Sequence, residues 1–132
     1  MHEAIDRFLV VGSFAVVGAS ADRAKYGNKV LRCYAQHGHP VVGVHPRERE
    51  VEGQPCFPSL RDVPGEPRAV SVVAPPAAAR TICEDAVAAG VRHLWFQPGV
   101  EDPEAIAYAV ENGIEVIADG ACLLVALGFR DV

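Results

Sequence analysis

The residues best suited to chemistry begin with Gly18-Ala19-Ser20, with Lys25, Gly27 and Asn28 just beyond. Two small residues after a glycine let a ligand approach the backbone. Ser20 adds a hydroxyl, Lys25 adds a point charge, and Gly27-Asn28 suggests a tight turn before a helix continues. Backbone N–H groups at such a helix start attract phosphate oxygens. The G-x-G-x-x-G spacing of dinucleotide loops is absent, and an ordinary turn with a solvated lysine accounts for the same residues. A second stretch reads Val44-His45-Pro46-Arg47-Glu48-Arg49. NAD-binding domains place Asp or Glu there to bond the ribose hydroxyls. Here proline and arginine stand in that place, and a guanidinium suits a ribose phosphate better than a bare diol. Two ligands carry such a phosphate: NADP and coenzyme A. Arg47 and Arg49 can equally balance Glu48, Glu50 and Glu52 on a solvated loop.

Three further stretches share this mixture of small, proline and polar residues: Ala74-Pro75-Pro76, Gln97-Pro98-Gly99 and Asp119-Gly120-Ala121-Cys122. The Gln97 amide can bond an amide of a ligand or cap its own loop, with Gly99 beside it. Cys122 precedes an apolar run, where a cysteine more often packs as a small hydrophobe than reacts. Of the histidines His2, His37, His39, His45 and His93, only His45 falls at a strand's carboxyl end. It is the one to test for proton transfer, with ligand contact or packing as the stronger expectation. His37 and His39 flank a helix-ending glycine and suit a turn. No Cys or His cluster has metal spacing, and no complete catalytic constellation is visible, so neither a metal nor an enzyme is expected.

These stretches need elements to position them. Three times a helical pattern ends in glycine and an apolar strand follows. The segments are Ala24–His37 with Gly38, about Ala77–Ala89 with Gly90, and Asp102-Pro103 onward to Gly113. Glycine past a helix end takes the left-handed conformation freely, and Asp before Pro suits a helix start. The runs FAVVGA, PVVGV, AVSVVA, VRHLWF and IEVIA predict strands covered on both faces. Trp95 and Phe96 should point into opposite layers. Strands alternating with helices imply a three-layer, doubly wound α/β fold of Rossmann type, with a parallel sheet of about five strands. A helix over His2–Val10 precedes it. Residues 47–68, rich in Pro, Gly and charge, predict a loop with one helical turn near Ser59–Asp62. In such a sheet ligands bind beyond the carboxyl ends of the strands, which is where the stretches above fall.

The chain has 132 residues, read as one domain over 1–132. Half its residues are hydrophobic and its formal charge is -5, which argues against nucleic acid as a partner. Four scattered cysteines suggest free thiols and a cytoplasmic setting. The stretch MHEAIDRFLVVGSF, with acids near its start and a short apolar run, is expected to be neither a signal peptide nor a membrane span.

Taken in order, FAVVGAS, KYGNKV, GHPVVGVHPR, EGQPCFPSL, VVAPP and GVRHLWFQPGV resemble the stand-alone CoA-binding proteins. Their Rossmann-type domain also occurs in the succinyl-CoA synthetase α subunit and in acyl-CoA synthetases. The resemblance implies coenzyme A or a short acyl-CoA as ligand. It places Gly18, Ala19, Ser20, Lys25, Asn28, Pro46, Arg47 and Pro75 along the site, to which the residue reading adds His45, Gln97 and Gly99. The family usually has Asn-Pro-Lys where this chain has His45-Pro46-Arg47. It often has Asp-Arg-Cys where this chain has Asp119-Gly120-Ala121-Cys122. The synthetases carry a phosphorylated histidine in a further domain, which this chain is expected to lack. The expectation is a non-catalytic sensor, carrier or regulatory module. The alternative is a small NADP-binding oxidoreductase or its cofactor domain.

Overall fold

The computed structural model describes residues 3–131; His2, where the expected first helix begins, lies outside them. In chain order the strands are β1 (Phe14–Val17), β2 (Val41–Val44), β3 (Glu50–Val51), β4 (Gln54–Phe57), β5 (Ala69–Val72), β6 (His93–Phe96) and β7 (Glu115–Ile117). The helices are α1 (Glu3–Leu9), α2 (Tyr26–Gln36), α3 (Ala79–Ala88), α4 (Pro103–Glu111) and α5 (Leu123–Leu127). Short 3-10 turns run over Leu60–Asp62 and Pro76–Ala78.

One sheet carries all seven strands in the order β3-β4-β2-β1-β5-β6-β7. Every pairing is parallel except β3 with β4. Without β3 this is the 3-2-1-4-5-6 order of the Rossmann fold, with its reversal between β1 and β5. The five expected strands are present. The expectation of about five fell short because β3 and β4 form a hairpin inside the stretch read as a loop. β4 then pairs with β2 through Gly43↔Cys56 and Val44↔Phe57.

Alternation along the strands builds two cores. Phe14 and Val16 face α1, α2 and α5, whereas Ala15 and Val17 face α3 and α4. Trp95 and Phe96 divide in the same way, each fully buried. On the first side Phe8, Phe14 and Tyr34 stack in sequence, with Trp95 edge-on to Phe8 at 5.3 Å. Tyr34 satisfies its buried hydroxyl on Ser71 Oγ at 2.6 Å, as a buried phenol must. Gly38, Gly90 and Gly113 all adopt positive φ just past α2, α3 and α4, the role their spacing predicted.

Candidate functional site

A cavity of about 640 Å³ opens at the carboxyl ends of β1, β2, β4 and β5, where the strand order reverses. That size lies within the roughly 300–1,000 Å³ of small-molecule sites. Its floor is the loop after β1. Gly18 ends the strand at φ +94°, and its N–H donates to Val44 O at 3.1 Å. A Cβ there would lie 1.7 Å from Val73 O, and one on Gly27 would lie 2.0 Å from Gly18 O. The two glycines therefore let α2 and the β5 end close directly onto the loop. Sequence reasoning gave Gly27-Asn28 a turn. Instead α2 starts at Tyr26, so both residues belong to its first helical turn.

Lys25 occupies the N-cap of α2 and makes no side-chain cap. The N–H groups of the first turn are thus not capped by that side chain, and they lie at the cavity with the helix dipole behind them. Asn28, fully buried, lies behind the loop rather than in the cavity wall. Its Nδ2 donates to Ser20 O (2.8 Å) and Glu52 Oε2 (3.1 Å), and its Oδ1 accepts from Arg32 Nε at 2.6 Å. Glu52 sits at the tip of the β3–β4 hairpin with φ +52° and also accepts from Arg23 Nη1 at 3.0 Å. The hairpin hidden in the sequence is therefore a buttress for the loop.

Of the expected site residues, Gly18, Ala19, Ser20, Lys25, His45, Pro46 and Pro75 line the cavity. Asn28, Arg47, Gln97 and Gly99 do not. Arg47 is exposed on the turn after β2, and its guanidinium has no partner among the described residues. That turn is held by His45, whose Nδ1 accepts the N–H of Arg47 and of Glu48, both at 3.0 Å. An imidazole that accepts at Nδ1 carries its proton on Nε2. His45 thus performs the backbone-bonding role that an asparagine side chain plays at such turns. Gly99 lies on an exposed turn, its N–H bonded to Glu101 Oε1 at 2.9 Å.

Gln97 and Cys122 form a separate cluster with Tyr26, which does line the cavity. The Tyr26 hydroxyl is hydrogen-bonded to Cys122 Sγ and lies 3.3 Å from Gln97 Oε1. Burial, reinforced by the bond to Cys122, pushes the Tyr26 hydroxyl well above the usual phenol range. It therefore stays protonated, able to donate, at neutral pH. Cys33 and Cys83 are pushed up to about 11, chiefly by burial.

Sequence reasoning missed the far wall. Ala78, Ile82 and Asp85 line it from α3 and the turn before it, and their i, i+4, i+7 spacing marks one helix face. Pro58, Ser59 and Leu60 enter from the turn after β4, capped by Ser59 Oγ accepting from Arg61 N at 3.2 Å. Asp85 is paired with Arg61 Nε at 2.7 Å. The wall is predominantly apolar, while the polar groups concentrate at the β1–α2 loop. Among the described residues no three His, Cys, Asp or Glu side chains gather as a metal site needs. No helix among them is long and apolar enough to cross a membrane.

Lys25 is exposed and makes no ion pair among the described residues. Lys25→Ala should weaken a diphosphate ligand by about 1–3 kcal/mol, the scale of a charged hydrogen bond, with almost no loss of thermal stability. Calorimetry alongside a melting curve checks both; unchanged affinity would move the diphosphate off this helix start.

Comparison with known proteins bears on the family and the fold. Acetate–CoA ligase (ADP-forming) I of Archaeoglobus fulgidus is 24% identical over 113 residues, covering 78% of this chain and 16% of the ligase. The alpha subunit of acetate–CoA ligase (ADP-forming) II of Pyrococcus furiosus is 35% identical over 72 residues, 54% of this chain and 16% of that subunit. The chain thus spans only a small part of the length of these curated relatives. A conserved hypothetical protein from Pyrococcus furiosus superposes with a TM-score of 0.81 at 37% identity, covering 86% of this chain and 97% of that one. A hypothetical protein from Pyrococcus horikoshii OT3 gives 0.87 at 28%, covering 95% and 89%. Residues 12–128 match the family described as CoA binding domain, and the chain belongs to that family.

Proposed function

We propose that the protein binds coenzyme A or a short acyl-CoA in the cavity at the strand ends, as a sensor, carrier or regulatory module without catalysis of its own. The observation that carries this reading is the cavity itself. It combines an α2 start open to phosphate with a long apolar wall, and the turn after β2, next to the lining residues His45 and Pro46, carries an arginine where NAD-binding domains place an acid. The diphosphate belongs at Gly18–Ser20 and the first turn of α2. The adenosine belongs against Leu60, Ala78 and Ile82, which offer an apolar slot for a flat ring. Arg47 stands free on its turn for the ribose phosphate. Family membership and the CoA-ligase relatives support the same ligand.

Calorimetry with CoA, acetyl-CoA, NAD and NADP tests the reading. CoA should bind at least tenfold more tightly than either dinucleotide, a difference of about 1.4 kcal/mol. Tighter binding of NADP would overturn it in favour of an oxidoreductase cofactor domain.

A further inference from the structure

We propose that Cys122 is an attachment point for the ligand's sulfur, forming a mixed disulfide when coenzyme A is offered as its disulfide. The proposal rests on the CoA reading above. Three of the four cysteines, Cys33, Cys56 and Cys83, are buried, and only Cys122 is partly open. Its Sγ touches the hydroxyl of Tyr26, a cavity residue.

A second observation points to a ligand at the same corner. Gln97 is fully buried, and its Oε1 accepts from Leu123 N at 2.9 Å, which fixes the orientation of the amide. Its Nε2, on the amide that meets the Tyr26 hydroxyl, has no hydrogen-bond partner among the described residues. Buried amide donors are seldom left unpaired. A pantetheine arm carries amide carbonyls able to accept from it. The path is consistent: with adenosine toward Ile82 and diphosphate at the α2 start, the arm leaves past Tyr26 toward the ends of β6 and β7. Gln97 and Cys122 follow those strands and meet the cavity through the Tyr26 hydroxyl, so an arm extending past Tyr26 would bring its terminal sulfur toward Sγ.

The chemistry balances without an added oxidant. The Cys122 thiolate attacks one sulfur of the CoA disulfide, the ligand's S–S bond breaks, and a Cys122–CoA disulfide forms. The second CoA leaves as a thiolate and takes up from solvent the proton that Cys122 released. One disulfide is consumed and one is made. Tyr26, a donor at neutral pH, hydrogen-bonds the attacking thiolate. A small-molecule thiol reverses the capture.

The test incubates the full chain with CoA disulfide or with glutathione disulfide and follows intact mass without reductant. One CoA adduct per chain is expected, mapping to Cys122, lost on dithiothreitol treatment and absent from Cys122→Ser. Its formation should be at least tenfold faster than that of the glutathione adduct, and excess reduced CoA should slow it. Equal rates for the two disulfides would show an untemplated thiol and overturn the proposal. So would an internal disulfide with no adduct, or an adduct on another cysteine. Calorimetry of Cys122→Ser with reduced CoA separates the two ideas. Binding without adduct formation in the wild type sinks the attachment point alone, whereas no binding of CoA by either protein sinks the ligand reading too.

Discussion

Gly18→Ala is expected to remove about 4–5 kcal/mol of stability, at the extreme end for a single substitution and close to the whole stability of a marginal domain. Two effects add. The backbone at φ +94° disfavours any L side chain by roughly 1–2 kcal/mol. The new methyl would also overlap Val73 O and Val73 C, at 1.7 and 2.7 Å. Both are backbone atoms of the segment following β5, so no rotamer change relieves the clash. The ends of β1 and β5 would have to part at the reversal point of the sheet. Gly99→Ala is the control: φ there is +90°, but a Cβ meets nothing within 4 Å, so only the conformational cost of about 1–2 kcal/mol applies. Denaturant unfolding of both variants makes the comparison. Similar midpoints would mean that the two strand ends are not packed as described.

Arg47→Ala is expected to leave the fold intact and change what the protein prefers. The Arg47 side chain is exposed and has no partner among the described residues, while its N–H is held by His45 Nδ1. The turn is therefore set before a ligand arrives, and removing the side chain disturbs little. A ribose phosphate monoester carries nearly two charges at neutral pH, and a guanidinium can meet two of its oxygens at once. The wild type should prefer CoA to dephospho-CoA. Arg47→Ala should reduce that preference by about 1–3 kcal/mol, roughly 5- to 150-fold. Because the side chain is open to solvent, the preference should also shrink as salt rises. Affinities of both ligands for both proteins, at low and moderate salt, give the answer. Arg49, also exposed, is the second candidate. If neither Arg47→Ala nor Arg49→Ala alters the ratio, the phosphate is read elsewhere.

Five of the seven strands were legible because each is a short, mostly apolar run between turn residues, the pattern of strands covered on both faces. The hairpin was not. β4 reads Gln54-Pro55-Cys56-Phe57, with a proline inside it, and β3 is only two residues long. Its turn has Glu52 at positive φ where Asn or Asp before glycine would have announced a hairpin. α5 was hidden too, since Leu123–Leu127 is too short to show a helical period. For the site, the strand-end rule found the near wall, because glycine, proline and histidine stand out against valine. The far wall did not stand out, since Ala78 and Ile82 look like any apolar helix face until the turn after β4 is seen opposite them. His45 was placed correctly at a strand end, but its work as an acceptor for two backbone N–H groups depends on a turn geometry that composition does not show.

The hairpin that steadies the loop also decides what can be added to the sheet. Without it, β4 would offer a free edge of peptide groups, a template for strands from other molecules. β3 covers that edge with two residues only, one of them the exposed Glu50, and pairs Glu50 with Pro55. The outermost strand is then too short and too charged to recruit another. A variant that loses the Glu52–Asn28 contact would loosen more than the ligand loop. It would uncover a flank where copies of the protein could join edge to edge, so turbidity on standing should reveal the loss as readily as ligand affinity does.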